Sequence, residues 1–202
     1  RERAELRAFY EQEAEARTRS ELRGKRREIL AGYLRLLADE GRHSVLDAGS
    51  GPGLDGAGFV AAGHRFVGVD LARGNGALAR ERGMDVVQGS VTALPIRPGF
   101  FDAGWSMSTL MHLTADDMVT TAAELAGALR PGAPAMIGLW GFEDEVSSSD
   151  GPDRPGPRRI FHLRSFEHNQ SLLATSARIE SAERLVALAD GWDYHLIRLR
   201  TG

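Results

Sequence analysis

The sequence predicts an α/β protein, a mostly parallel sheet with helices on both faces. Two observations carry that expectation. Between Ser44 and Trp140, short apolar runs of strand length alternate with helical stretches, which is the rhythm of βαβ units. The first of those runs ends in a glycine cluster, Gly49-Ser50-Gly51-Pro52-Gly53. Strands end this way where they turn into a helix at the carboxyl edge of such a sheet.

The elements follow in order. Residues 2–37 are rich in Glu, Arg and Ala and read as helix, with Ile29, Leu30, Tyr33, Leu34, Leu36 and Leu37 forming an apolar stripe. Residues 44–48 read as a short buried strand, followed after the glycines by a helix to about Ala62. Residues 65–70 form a second strand, 74–82 a weaker helix, 85–88 a third strand and 101–106 a fourth. A helix over 115–129 stops at Arg130-Pro131-Gly132, a strong breaker, and 135–140 is the fifth strand. Residues 143–159 are polar, rich in Gly, Pro, Ser and Asp, and without period. They predict a mobile surface loop over 141–164. A short helix over 165–175 comes next. Strand-like runs over 178–187 and 192–200 then flank Leu188-Ala189-Asp190-Gly191, where Asp-Gly signals a hairpin.

The expected organisation is one domain over 1–202: a helical cap over 1–42, a ligand-binding core over 43–140, the loop over 141–164, and a closing helix and hairpin over 165–202. Its 42% hydrophobic and 26% charged residues are the balance of a globular chain with one core. A formal charge of −3 gives no global pull toward nucleic acid or anionic membrane. No apolar run approaches the ~20 residues of a membrane span, and the charged N-terminal stretch lacks the apolar segment of a signal peptide. The absence of cysteine excludes disulfides, thiolate metal sites and cysteine nucleophiles, and fits a reducing compartment. The expectation is a soluble cytoplasmic protein, monomer or homodimer, with no nucleic-acid or membrane partner and no metal.

Two frames compete at the glycines. Gly51-Pro52-Gly53-Leu54-Asp55-Gly56 has the dinucleotide spacing G-x-G-x-x-G. It begins late after the strand, Pro52 has no N–H for a pyrophosphate, and Asp47 is left unexplained. The earlier frame, Val45-Leu46-Asp47-Ala48-Gly49-Ser50-Gly51-Pro52-Gly53, accounts for that aspartate. It closely resembles the first motif of class I S-adenosylmethionine-dependent methyltransferases, an acidic residue near the strand end followed by G-x-G-x-G. S-adenosylmethionine carries an ammonium and a sulfonium, which favour a nearby carboxylate, and the glycines allow close backbone approach. With no ligand, the segment would be a tight turn over a costly buried aspartate.

Asp70 ends the second strand, where a carboxylate can accept from both ribose hydroxyls of a nucleoside. NAD and S-adenosylmethionine sites share that feature; as a purely structural residue Asp70 would cap a helix. The resemblance continues in Gln88-Gly89-Ser90-Val91-Thr92-Ala93-Leu94-Pro95, similar to the family's segment after strand three. There an aspartate commonly meets the adenine amino group; here Ser90 stands in its place. Phe101-Asp102-Ala103-Gly104-Trp105-Ser106-Met107-Ser108-Thr109-Leu110-Met111-His112 looks like the family's fourth strand and following loop, and Leu129-Arg130-Pro131-Gly132-Ala133 like its turn into strand five. Over residues 43–202 the resemblance implies a Rossmann-like three-layer sandwich with sheet order 3-2-1-4-5-7-6, strand seven antiparallel, behind an N-terminal helical extension. It also implies S-adenosyl-L-methionine as cofactor and S-adenosyl-L-homocysteine as product. The residues expected to hold them are Asp47, Gly49, Ser50, Gly51, Gly53, Asp70, Leu71, Ser90, Val91, Ser106 and Met107.

His112 follows strand four, at the mouth where a methyl acceptor would sit, and histidine is the usual general base near neutral pH. Its plainer role is to shape the pocket or cap the next helix. Tyr10 is the expected contact from a helical lid. No Pro-Pro-aromatic motif of nucleic-acid amine methyltransferases follows strand four, so a small-molecule hydroxyl, amine or carboxylate is the expected acceptor. One rival is an NAD(P)-dependent oxidoreductase. The Tyr-x-x-x-Lys pair of short-chain reductases is missing, since Tyr10, Tyr33 and Tyr194 are followed four residues on by Ala14, Leu37 and Arg198. The other rival is a binding module that holds S-adenosylmethionine without turnover.

Overall fold

The computed structural model describes residues 1–18, 24–149, 156–187 and 192–202. Helices α1 (Glu2–Thr18) and α2 (Gly24–Asp39) precede the sheet. Strands β1 (Ser44–Ala48), β2 (Arg65–Asp70), β3 (Asp85–Gln88), β4 (Ala103–Met107) and β5 (Pro134–Phe142) are parallel to one another. Between them run α3 (Gly56–Ala61), α4 (Arg73–Glu81) and α5 (Ala115–Ala128). The chain then forms β6 (Val146–Ser149), β7 (Ile160–Leu163), α6 (Phe166–Leu173), β8 (Arg178–Ala187) and β9 (Trp192–Arg200).

The seven-stranded sheet has the order β3-β2-β1-β4-β5-β9-β8, with β9 antiparallel to both neighbours. With β8 and β9 as strands six and seven, this is the implied order. Every residue of the central strands β1 and β4 is buried, as expected where helices cover both faces of a parallel sheet. One face receives Leu30, Tyr33 and Leu37 of α2 together with Phe59 and Phe66. The Tyr33 hydroxyl lies 2.9 Å from the carbonyls of both Gly104 and Pro134, so α2 is stapled to β4 and β5. The other face receives Met118, Ala122 and Leu125 of α5. Thr114 caps that helix by accepting from the Asp117 N–H (3.2 Å), and Asp116 and Asp117 in the first turn complement its dipole.

Three expectations need correction. The stretch 141–164 is not an irregular loop throughout: β5 continues to Phe142, and β6 pairs with β7 in an antiparallel ribbon. Phe161 and Leu163 alternate with half-buried neighbours, but four-residue strands flanking a polar stretch leave too short a period to read. Residues 150–155 lie outside the described part, as do 188–191, where the hairpin turn was expected. The N-terminal region holds two helices rather than one continuous one, with 19–23 again undescribed. The fourth strand begins at Ala103, because Phe101 instead bridges to Leu129. Among the described residues no helix is long and apolar enough to cross a membrane.

Candidate cofactor and acceptor site

A cavity of about 630 Å³ opens above the carboxyl ends of β1, β2 and β4, where open α/β sheets receive ligands. Its floor is the turn after β1. Gly49 (φ +88°) and Gly51 (φ +55°) adopt left-handed backbone. A Cβ on Gly49 would lie 2.7 Å from the Cβ of Thr109, whereas Gly51 has open space before it. Gly51 therefore offers bare backbone to a ligand. Asp70 braces the turn: Oδ2 accepts from the Gly51 N–H (2.8 Å), and Oδ1 from the Ala72 N–H (2.9 Å) and Asn75 Nδ2 (3.2 Å). The same carboxylate lines the cavity, so the structural and ligand-binding readings of Asp70 meet in one group. The Ser50 hydroxyl is buried beside it without a hydrogen-bond partner, a cost that a bound ligand would relieve.

Beneath the turn lie two more carboxylates. Asp55 accepts from Arg26 Nε (2.9 and 3.0 Å) and Trp105 Nε1 (2.8 Å), and Arg26 Nη2 closes the pair. Asp47 is only 2% exposed. Burial pushes its carboxyl well above the usual carboxylate range, Asp55 and Asp70 add to the shift, and Arg26 opposes it. A bound cation would favour the ionised form and reverse this shift. A bare-backbone cradle, an orphaned hydroxyl, a carboxylate at the end of β2 and buried carboxylates below suit a nucleoside joined to a cationic amino acid. S-adenosylmethionine has that chemistry.

The lid is α1. Glu11 accepts from the backbone N–H groups of Arg73 and Gly74, both at 2.6 Å. It thereby caps α4 from another helix, where Ala72 provides no side-chain cap. Phe9 and Ala14 are buried under the same helix. Anchored in this way, α1 sets the Tyr10 hydroxyl 2.7 Å from His112 Nε2. His112 Nδ1 lies 2.5 Å from the Ile160 carbonyl. That carbonyl can only accept, so Nδ1 carries the proton, and in the neutral ring Nε2 accepts from Tyr10. His112 is tied back to the floor as well: its N–H bonds to Thr109 O (3.1 Å), and Thr109 Oγ1 donates to Gly49 O (3.3 Å). From just before β7, Arg159 Nε donates to the Tyr10 oxygen (3.2 Å) while its guanidinium lies 4.7 Å from the Phe161 ring centre.

Of the expected cofactor residues, Gly49, Ser50, Gly51, Asp70, Leu71, Ser90, Val91 and Met107 line the cavity. Asp47 and Gly53 lie behind that wall, with Gly53 packed on Met84 and Ala79. Ser106 departs from the expectation. Fully buried, it donates to Ala48 O (2.6 Å) and ties β4 to β1. Strand side chains alternate in direction, so Met107 is the one that reaches the cavity, followed by Ser108 at φ +57°. The Ser90 hydroxyl is engaged locally with Thr92 Oγ1 (2.9 Å). Tyr10 and His112, read separately from the sequence, form one hydrogen-bonded pair. Four cavity residues or anchors were missed: Glu11, Arg26, Asp55 and Arg159. Asp55 surfaced only inside the rejected dinucleotide frame, and the other three carry no local motif.

A model of the methyltransferase domain family matches residues 45–132. The tRNA (carboxymethyluridine(34)-5-O)-methyltransferase ALKBH8 of Mus musculus is 32% identical over 94 residues, covering 46% of this chain and 14% of that protein. The chain thus spans a small part of the length of the curated relatives it matches. Among solved structures, a Pyrococcus horikoshii OT3 protein superposes with a TM-score of 0.69 at 17% identity, covering 89% of this chain and 92% of its own. The 1,6-didemethyltoxoflavin-N1-methyltransferase of Burkholderia thailandensis, solved with S-adenosylhomocysteine, superposes at 0.66 with 24% identity, covering 85% and 77%. Residues 45–132 thus match the methyltransferase domain family, and the chain shares its fold with S-adenosylmethionine-dependent methyltransferases of known structure.

Proposed function

We propose that the chain transfers a methyl group from S-adenosylmethionine to a small-molecule hydroxyl, amine or carboxylate by direct in-line displacement. The observation that carries this reading is the lid: α1, the 3₁₀ turn Leu110–His112 and the segment leading into β7 bring Tyr10, His112 and Arg159 over the cavity whose floor is the β1 turn. Bound S-adenosylmethionine supplies a methyl group already activated by the sulfonium, so alignment and exclusion of water are the protein's main tasks. The glycine turn and Asp70 orient the nucleoside, Asp47 and Asp55 favour the cationic end, and α1 shuts out solvent. A hydroxyl or amine acceptor would pass its proton to the Tyr10–His112 pair; a carboxylate has none to lose. A cysteine-free chain also suits the reducing cytoplasm.

A tRNA acceptor is the second reading, favoured by the name of the mouse relative. The helix across the cavity mouth and the formal charge of −3 favour the small molecule instead. The dinucleotide alternative fits the floor poorly. Of its three glycines only Gly51 faces the cavity, since Gly53 packs on Met84 and Gly56 on Met84 and Phe66. Calorimetry with S-adenosylhomocysteine and NAD tests the reading, and tight binding of NAD alone would overturn it. Single-turnover transfer to a metabolite mixture separates the enzyme from a binding module. His112→Ala then sorts the acceptor. For a hydroxyl or amine the rate at saturating cofactor falls roughly 10²–10⁴-fold; for a carboxylate the loss appears in acceptor binding.

A further inference from the structure

We infer that the acceptor is an apolar molecule bearing a carboxylate, that Arg159 holds the carboxylate, and that the product is its methyl ester. The inference rests on the methyl-transfer reading above and narrows it. Among the described residues, four Lys and Arg side chains line the cavity, Arg3, Lys25, Arg26 and Arg159. Three have acidic partners: Asp117 (3.5 Å), Glu28 (3.3 Å) and Asp55. Among the described residues Arg159 has no carboxylate partner; Nε is used on Tyr10 and the plane rests on Phe161. That leaves the Nη groups of a half-buried, cavity-lining guanidinium, held by Tyr10 and Phe161, without a carboxylate among the described residues. A planar carboxylate is its natural complement, by geometry and by the need to pair a charge taken from water.

The base position points the same way. His112 Nε2 is the atom that would take a proton from a hydroxyl or amine, and the Tyr10 hydroxyl already occupies it, while Nδ1 is held by Ile160. A carboxylate is ionised at neutral pH and needs no base. Tyr10 and His112 are then positioning residues that hold Arg159 in place. Leu6, Ile29, Leu113, Trp140 and Ile160 also line the cavity and offer apolar surface to the rest of the acceptor.

The step balances without proton transfer. One carboxylate oxygen donates an electron pair to the methyl carbon, the C–O bond forms as the S–C bond breaks, and that bond's pair stays on sulfur as a neutral thioether. One anionic and one cationic centre become two neutral ones. Methylation removes the charge that Arg159 holds, so the ester is bound more weakly than the acid and leaves.

The test incubates the full chain with S-adenosylmethionine carrying a radiolabelled methyl group, alongside either the small-molecule fraction of a cell extract or intact tRNA. Mild alkali then releases methanol from methyl esters but leaves methyl ethers and methylamines intact. The expected result is alkali-volatile label from the small-molecule fraction. With the ester so identified, Arg159→Gln should raise the acceptor KM at least about tenfold, more than it changes kcat, as the loss of a charged hydrogen-bonded contact predicts. Arg159→Lys should recover part of that loss, and calorimetric affinity for S-adenosylhomocysteine should hold in both variants. Alkali-stable label overturns the carboxylate inference and leaves methyl transfer standing. Label confined to ribonuclease-sensitive material overturns the small-molecule acceptor. An unchanged KM in Arg159→Gln overturns the role of Arg159. No label in any fraction, with S-adenosylhomocysteine still bound, overturns this inference and the methyl-transfer reading together.

Discussion

Gly51 and Asp70 meet across 19 residues of sequence, through a backbone N–H and a strand-end carboxylate. Tyr10 meets His112 across 102 residues and Arg159 across 149, through side chains alone. The first pair belongs to the floor of the cavity and the second to its lid. The floor is shaped by backbone conformation and by the register of neighbouring parallel strands, Asp47 opposite Gly68 and Ala48 opposite Val69. The lid is shaped by which side chains happen to project from α1, the approach to β7 and the short 3₁₀ turn Leu110–His112. A floor of this kind suits a ligand shared by many proteins. A lid of this kind is free to change with the acceptor while the sheet beneath stays the same.

If the floor is a backbone device, its glycines should be the most sensitive positions. Gly49→Ala combines a left-handed φ with a Thr109 Cβ that rotation cannot move away. It should cost at least about 3 kcal/mol of unfolding free energy, while Gly51→Ala should cost about 1–2 kcal/mol for its φ alone. Urea denaturation compares the two, and equal losses would mean that the Thr109 contact does not define the turn. Next in size, Asp70→Ala should weaken S-adenosylhomocysteine binding by about 1.5–3 kcal/mol. It should also lower Tm, because the N–H groups of Gly51 and Ala72 lose their acceptor. An unchanged Kd with a lowered Tm would make Asp70 a brace only.

The lid should fail differently. Glu11→Ala removes the borrowed cap of α4, worth about 1 kcal/mol. Hydrogen exchange should rise across residues 2–14 while β1–β5 stay protected, and added S-adenosylhomocysteine should restore protection in the wild type. Uniform loss of protection would show that floor and lid unfold as one unit. The smallest effect lies away from both, on β9, where His195 packs against Phe166 and Asn169 of α6. Burial lowers the pKa of His195; Asp193 Oδ1 is 2.8 Å away but out of line for a hydrogen bond. The fold therefore favours the neutral ring. That stability is present above the unfolded histidine pKa of about 6.5 and is lost as pH falls through the folded value. His195→Gln should flatten the stability profile below about pH 6.5, and an unchanged slope there would assign the loss to other groups.

The strands β1–β5, β8 and β9, the glycine turn and the strand-end Asp70 were legible in the sequence. Each rests on short-range physics: a period-two or continuous apolar run, a residue without Cβ where φ is positive, a carboxylate at a strand terminus. The sheet order came from resemblance rather than periodicity, and agrees with the fold. Tertiary structure alone decided the rest. It turned Ser106 inward to Ala48 and left Met107 to the cavity, because a frame error of one residue reverses a strand side chain. It made β6 and β7 strands, since their pairing depends on each other and neither is long enough to declare itself. It also joined Arg26 to Asp55 and Trp105, Glu11 to α4, and Tyr10 to His112 and Arg159. The sequence by itself determined where the backbone could bend and bury; only the packed fold decided which distant side chains meet, because that depends on how α1 and β7 settle over the finished sheet.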